Sequence, residues 1–273
     1  MDTGGSVPAR TTIPPVLALA AVVIGLAAMP MVTLIALPRG MRLALVVSEL
    51  ALVAPGLLAL LAYRIPPRAA VGRWPLDRRT RVLMVAAGAS LWLASLGLLE
   101  LQYALWAPPP GYLEAFRRLH EALRPAGPAD ALVSLAAVAL VPALCEELLV
   151  RGIVLPSFLT RSGPAGAVVI SAVVFALIHL DPYRTLFTLA LGLALGLLRV
   201  RTGSLVACMA AHAVLNALTF ALAPFADDPA QGLPDPRPVV GLGLLVAGSA
   251  ATVLVLRFLP SLTHPGPTPR LEA

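Results

Sequence analysis

The sequence has no lysine, and only 12% of its 273 residues are charged. A soluble domain carries roughly twice that share, which excludes a cytosolic enzyme, and a disordered chain would need low hydrophobicity and high net charge. Cysteine occurs twice, at Cys145 and Cys208, both inside apolar runs. Residues so placed build neither the disulfide framework of a small secreted scaffold nor a paired-cysteine zinc motif. A formal charge of +6 would suggest nucleic acid in a soluble domain. Here all 20 basic residues are arginine, and most stand between apolar blocks, where they orient a membrane protein. The expected partner is a lipid bilayer, with no nucleic acid.

Apolar sequence is abundant instead: 59% of residues are hydrophobic and mean hydropathy is +0.88. The excess comes in blocks of about 20 residues, the length that crosses a hydrocarbon core of about 30 Å. The expected fold is all-α, a polytopic membrane protein of about eight transmembrane helices with its site buried within the membrane. The blocks run over 16–37, 43–63, 82–106, 131–160, 165–180, 185–200, 204–224 and 239–259, separated by proline and glycine turns such as Ser162-Gly163-Pro164. The expected organisation is a head over 1–15, then 16–130 holding three spans and an amphipathic interfacial helix over 112–123. A helical core over 131–224 follows, then 225–263 with a loop and the last span, and a disordered polar tail over 264–273. Arg64, Arg68, Arg73, Arg78, Arg79 and Arg81 separate the second and third spans. Positive charge favours the inside, so both termini are expected in the cytoplasm, and the absence of lysine beside abundant Ala, Leu, Arg and Pro suggests a high-GC bacterial genome and hence a bacterial inner membrane.

Ionisable residues deep in apolar spans are costly and mark function by default. They are Glu49, Glu100, Glu146, Glu147, Arg151, His179 and His212, with the polar Asn216. Glu147 and Arg151, four apart, share a helix face and can pair, which leaves Glu146 directed elsewhere. Phe175 and His179 share a face in the same way, as do His212 and Asn216. With a turn at Ser162-Gly163, Glu146 and His179 lie at one depth, about 25 Å from it, and His212 returns to within roughly 10 Å of that level. A carboxylate beside water can act as a general base, and imidazole or carboxamide N–H groups can stabilise an oxyanion. Glu146, His179, His212 and Asn216 fit those roles. Glu146, His179 and His212 equally form a ligand set suited to catalytic zinc, and spacing alone does not choose between the two chemistries. The bland readings are interhelical hydrogen bonding and a membrane-edge charge cluster.

These motifs resemble those of the CPBP family of intramembrane proteases, which includes CAAX prenyl endopeptidases and bacteriocin-processing and Abi proteins. Glu146-Glu147-x-x-x-Arg151, Phe175-x-x-x-His179 and His212-x-x-x-Asn216 stand in the family's order and spacing. The resemblance implies a peptide-bond hydrolase in which Glu146 activates water. His179 and His212 would be catalytic partners, Asn216 would steady the oxyanion, and Glu147, Arg151 and Phe175 would support the site. It implies a glutamate protease with no metal or other cofactor, zinc being the alternative. The substrate class is a membrane-anchored protein or peptide. The myxosortase-like bacterial branch looks similar in size, which suggests processing of C-terminal sorting or anchor signals. A non-catalytic immunity or scaffold protein of the same fold, and a proton-coupled transporter, are the competing classes. Cys145 and Cys208 are read as small buried hydrophobes rather than nucleophiles.

Overall fold

The computed structural model describes residues 11–74, 77–222 and 237–259. Most of the expected head and of the loop between the last two spans, and all of the tail over 264–273, lie outside the described residues. The described residues are helical apart from turns and one isolated bridge, Gly72 to Ser204. In chain order the helices are α1 (Pro15–Ala36), α2 (Met41–Ala62), the short α3 (Pro67–Val71), α4 (Arg78–Leu105), α5 (Pro110–Leu123), α6 (Pro128–Leu135), α7 (Val141–Glu147), α8 (Leu155–Ile178), α9 (Thr185–Thr202), α10 (Leu205–Leu222) and α11 (Pro238–Phe258).

Seven stretches are long and apolar enough to cross a membrane, and one of them, Pro128–Ile178, has 51 residues. A straight helix of that length would run to about 75 Å, more than twice a bilayer core. The stretch turns back at Gly163, where φ is 66° and ψ is 177°, a conformation open to glycine at little steric cost. The two arms are the expected fourth and fifth spans, which accounts for the difference from eight. The polar termini of α4 show why the chain starts a helix where it does. Asp77 caps it, accepting from the Thr80 amide at 2.9 Å and from its hydroxyl at 2.6 Å. Those two bonds hold the Asp77 carboxyl below its ordinary range.

The first arm of the hairpin is not a regular α-helix. Wide π turns occupy Ala136–Leu140 and Leu148–Val154, on either side of α7. Each ends two residues before a proline, Pro142 or Pro156. Proline has no N–H to return to the preceding turn and its ring crowds the carbonyl four residues back. A widened turn relieves both problems and re-aims the side chains that follow.

The inner packing puts α7, the second π turn, α9, α10 and the second arm of α8 around one core that includes Leu149, Val150, Phe175, Leu195, Ala211 and Leu215. Beside it α1 lies along α2 and α11 along α4, with α4 also against α10. Large apolar side chains such as Val16, Leu58, Leu61 and Val239 are 65–84% exposed, a surface that suits lipid rather than water.

Candidate active site

Glu147 and Arg151 meet where the second π turn begins, and both are completely buried. Arg151 Nη1 donates to Glu147 Oε1 at 2.7 Å, and Nη2 donates to the Gly192 carbonyl on α9 at 2.9 Å. The guanidinium carbon lies 4.4 Å above the centre of the Phe175 ring. Gly192 permits this meeting because α9 passes hard against α8: a Cβ there would lie 2.9 Å from the Ala172 Cα. The helix spacing predicts the Glu147–Arg151 pair. It does not reveal a second bond, from His212 Nδ1 to the same Glu147 oxygen at 3.0 Å, which joins residues 65 apart in the chain.

His179 Nδ1 donates to the Phe175 carbonyl at 2.8 Å. Carbonyl and carboxylate oxygens only accept, so both imidazoles carry a proton on Nδ1 and, when neutral, present a bare Nε2. Both Nε2 atoms stand 3.9 Å from one atom, Glu146 Oε2. That oxygen is buried and makes no hydrogen bond. A continuous helix would separate Glu146 and His179 by about 50 Å, so their approach depends on the reversal at Gly163. Phe175 spaces the group: its ring meets His179 edge-on at 4.8 Å and His212 at 5.7 Å. Asn216 follows His212 by one turn of α10, half-buried, with no hydrogen bond among the described residues.

Side-chain exposure falls from 19% at His179 to 10% at Glu146, 3% at His212 and zero at Glu147, so the site opens on the His179 side. Leu180, the next residue, has φ of 48°, uncommon for leucine, and turns the chain into the loop before α9. The expected interfacial helix is docked on that loop. From α5, Tyr112 donates to Asp181 at 2.7 Å, while the Tyr183 ring stacks at 4.9 Å on both Tyr112 and Trp106. Burial, followed by the bond to Asp181, pushes the Tyr112 phenol up. Gln102 adds a hydrogen bond to the Tyr183 carbonyl.

Two further groups, Arg199 and Arg42, were not legible as site components, and a third, Glu49, was marked by its apolar span without a role. Arg199 is buried and donates to the carbonyls of Arg151, Gly203, Val71 and Ala70 at 2.6–3.3 Å, tying the motif arginine's backbone to α3. Arg42 on α2 forms a two-pronged pair with Asp130 on α6, at 2.8 and 2.9 Å. Glu49 on α2 stands within electrostatic reach of Glu146 and Cys145, with Oε2 buried and unbonded. Its position in an apolar span was the available signal. Glu100 accepts from the Arg237 amide at 3.2 Å at the start of α11, a structural tie. Cys145 and Cys208 are both buried and free.

Zinc would bring neighbouring ligand atoms to about 3.4 Å, given bonds of about 2.1 Å in a tetrahedral shell. The 3.9 Å separations of Glu146 Oε2 from the two Nε2 atoms are wider, and no group of three His, Cys, Asp or Glu among the described residues is arranged to hold a metal.

Residues 128–218 match the family described as Type II CAAX prenyl endopeptidase Rce1-like. The segment carrying all three motifs is thus similar to the CAAX-protease family, while α1 to α5 and α11 lie outside the match. No curated protein and no solved structure gives a match.

Proposed function

We propose that this chain is an intramembrane endopeptidase that uses Glu146 to activate water against a peptide bond of a membrane-anchored protein or peptide. The supporting observation is the convergence of two bare imidazole nitrogens on one unbonded carboxylate oxygen, each 3.9 Å away. That distance is too long for a hydrogen bond and leaves room for one water among the three acceptors, its two protons donated at about 2.8 Å to Glu146 Oε2 and to one Nε2 atom. Such a water has acceptors for its protons on several sides and keeps a lone pair for attack.

In the proposed reaction Glu146 takes a proton as the water oxygen bonds to the scissile carbonyl carbon. The carbonyl π electrons move to oxygen, and Asn216, whose carboxamide is otherwise uncommitted, donates to that oxyanion. His212 has the Glu147 carboxylate behind Nδ1, an arrangement that stabilises an imidazolium, so its Nε2 can take up and return a proton. Collapse of the tetrahedral intermediate breaks the C–N bond, with the proton passed to the leaving amine. Glu147, Arg151 and Phe175 act through the histidines by fixing their orientation.

The mouth beside α5 faces away from the arginine-rich end. By the positive-inside rule it opens to the outer side of a bacterial inner membrane, with both termini inside, which suits removal of a C-terminal sorting or anchor segment. A zinc enzyme is the second reading, favoured by the anchoring of both Nδ1–H groups on a carbonyl and a carboxylate, as the histidines of metal sites are anchored. The experiment is cleavage of single-span reporters, with the apolar segment at the C-terminus, by detergent-purified full chain with and without a chelator. Cleavage that survives chelation near the α5 side supports the proposal. Cleavage lost on chelation and restored by zinc establishes the second reading, and a cut on the arginine-rich side overturns the orientation.

A further inference from the structure

The two ends of the helical bundle treat their charges differently. At the end holding α5, arginines find carboxylates within the chain: Arg42 pairs with Asp130, Arg117 with Glu114 and Glu121, and Arg118 with Glu114. At the opposite end lie the loop from α2 to α4, the Gly163 turn, the Gly203 turn and the end of α11. Its arginines include Arg64, Arg68, Arg73, Arg78, Arg79 and Arg81, all exposed. The one carboxylate there among the described residues, Asp77, is engaged with Thr80. None of these six arginines has an ion pair among the described residues.

Membrane topology explains why arginine gathers on one side, but not the ordered display. Residues 65–73 of the loop are packed, not slack: Ile65 and Ala70 are buried at 8% and 4% exposure, the Arg73 amide donates to the Gly203 carbonyl at 3.0 Å, and Arg199 grips the Ala70 and Val71 carbonyls. Beside Arg73, Trp74 is 68% exposed, and an exposed tryptophan at a bilayer edge settles at headgroup level. Guanidinium forks held at that level match phosphate oxygens in pairs.

We infer that this arginine face is a binding surface for anionic glycerophospholipid headgroups, with Arg64, Arg68, Arg73 and the Arg78–Arg81 turn holding the phosphates and Trp74 seated among the glycerol backbones. Occupancy fixes α3, and through Arg199 the platform is one hydrogen bond from the backbone of Arg151.

The test is lipid retention by the full chain in detergent, read by native mass spectrometry after equilibration with equimolar phosphatidylglycerol and phosphatidylcholine. Three proteins are compared: wild type, Arg68→Gln/Arg73→Gln/Arg79→Gln, and Arg117→Gln/Arg118→Gln as the opposite-end control. All five side chains lie outside the packed core, so folding is expected in each and is checked by gel filtration. Wild type and control should retain phosphatidylglycerol over phosphatidylcholine, and the triple variant should lose that preference by about tenfold or more. Equal retention of the two lipids by wild type, an unchanged preference in the triple variant, or an equal loss in the control would each overturn the inference. Because the readout is lipid, it stands or falls separately from protease activity.

Discussion

Removing the guanidinium of Arg151 should separate what holds the site together from what makes it work. Arg151→Met leaves Glu147 fully buried with only His212 as partner and abandons the Gly192 carbonyl. Breaking a buried pair by deleting one partner costs about 3–5 kcal/mol, a large part of a typical stability of about 5–15 kcal/mol. Glu147→Leu/Arg151→Met removes both charges together. Apolar replacement of a complete buried pair is often neutral or stabilising, although His212 Nδ1–H and the Gly192 carbonyl then each forgo a partner, at about 1–3 kcal/mol apiece. The double variant should therefore regain about 2 kcal/mol over Arg151→Met in a thermal or denaturant melt of purified protein. Its cleavage, normalised to folded protein, should stay at least about 10–100-fold below wild type, the usual penalty for losing a group that orients a functional histidine. A double variant as unstable as the single would refute the buried-charge argument. One that cleaves like wild type would refute the role given to the Glu147–His212 bond.

Other expectations follow from single contacts. Asn216→Ala removes no internal hydrogen bond among the described residues, so the melt should be unchanged while kcat falls about 10²–10³-fold as an oxyanion donor is lost; unchanged kcat removes Asn216 from the mechanism. Tyr112→Phe deletes the bond to Asp181, and hydrogen exchange in α5 should quicken as about 0.5–1.5 kcal/mol of docking is lost; unaltered exchange would mean the aromatic stack alone holds α5. Cys145→Ala/Cys208→Ala should keep cleavage, since both thiols are buried among apolar side chains, and total loss would reopen a cysteine mechanism.

The sequence conveys span positions closely because length and apolarity are local properties: α9 begins at the expected residue 185 and α2 ends one residue before the expected 63. The helix-face pairing of Glu147 with Arg151 was legible for the same reason. The partners of His212 and Arg199 were not, since they lie on helices 65 and up to 129 residues away, and periodicity speaks only about one helix at a time. The π turns left a readable trace in Pro142 and Pro156, but proline alone does not say whether a membrane helix kinks, breaks or widens. Docking of α5 was hidden because its amphipathic pattern fits a lipid interface as well as it fits Asp181 and Tyr183.

The central claim is that the unbonded carboxylate of Glu146 withdraws a proton from water, and Glu146→Gln tests it most directly. The substitution keeps shape and removes the base. With wild type and variant matched for melting temperature, cleavage of one reporter at saturating concentration should fall about 10²–10⁴-fold, the range for removal of a general base. Cleavage by Glu146→Gln within a few fold of wild type would contradict the mechanism outright.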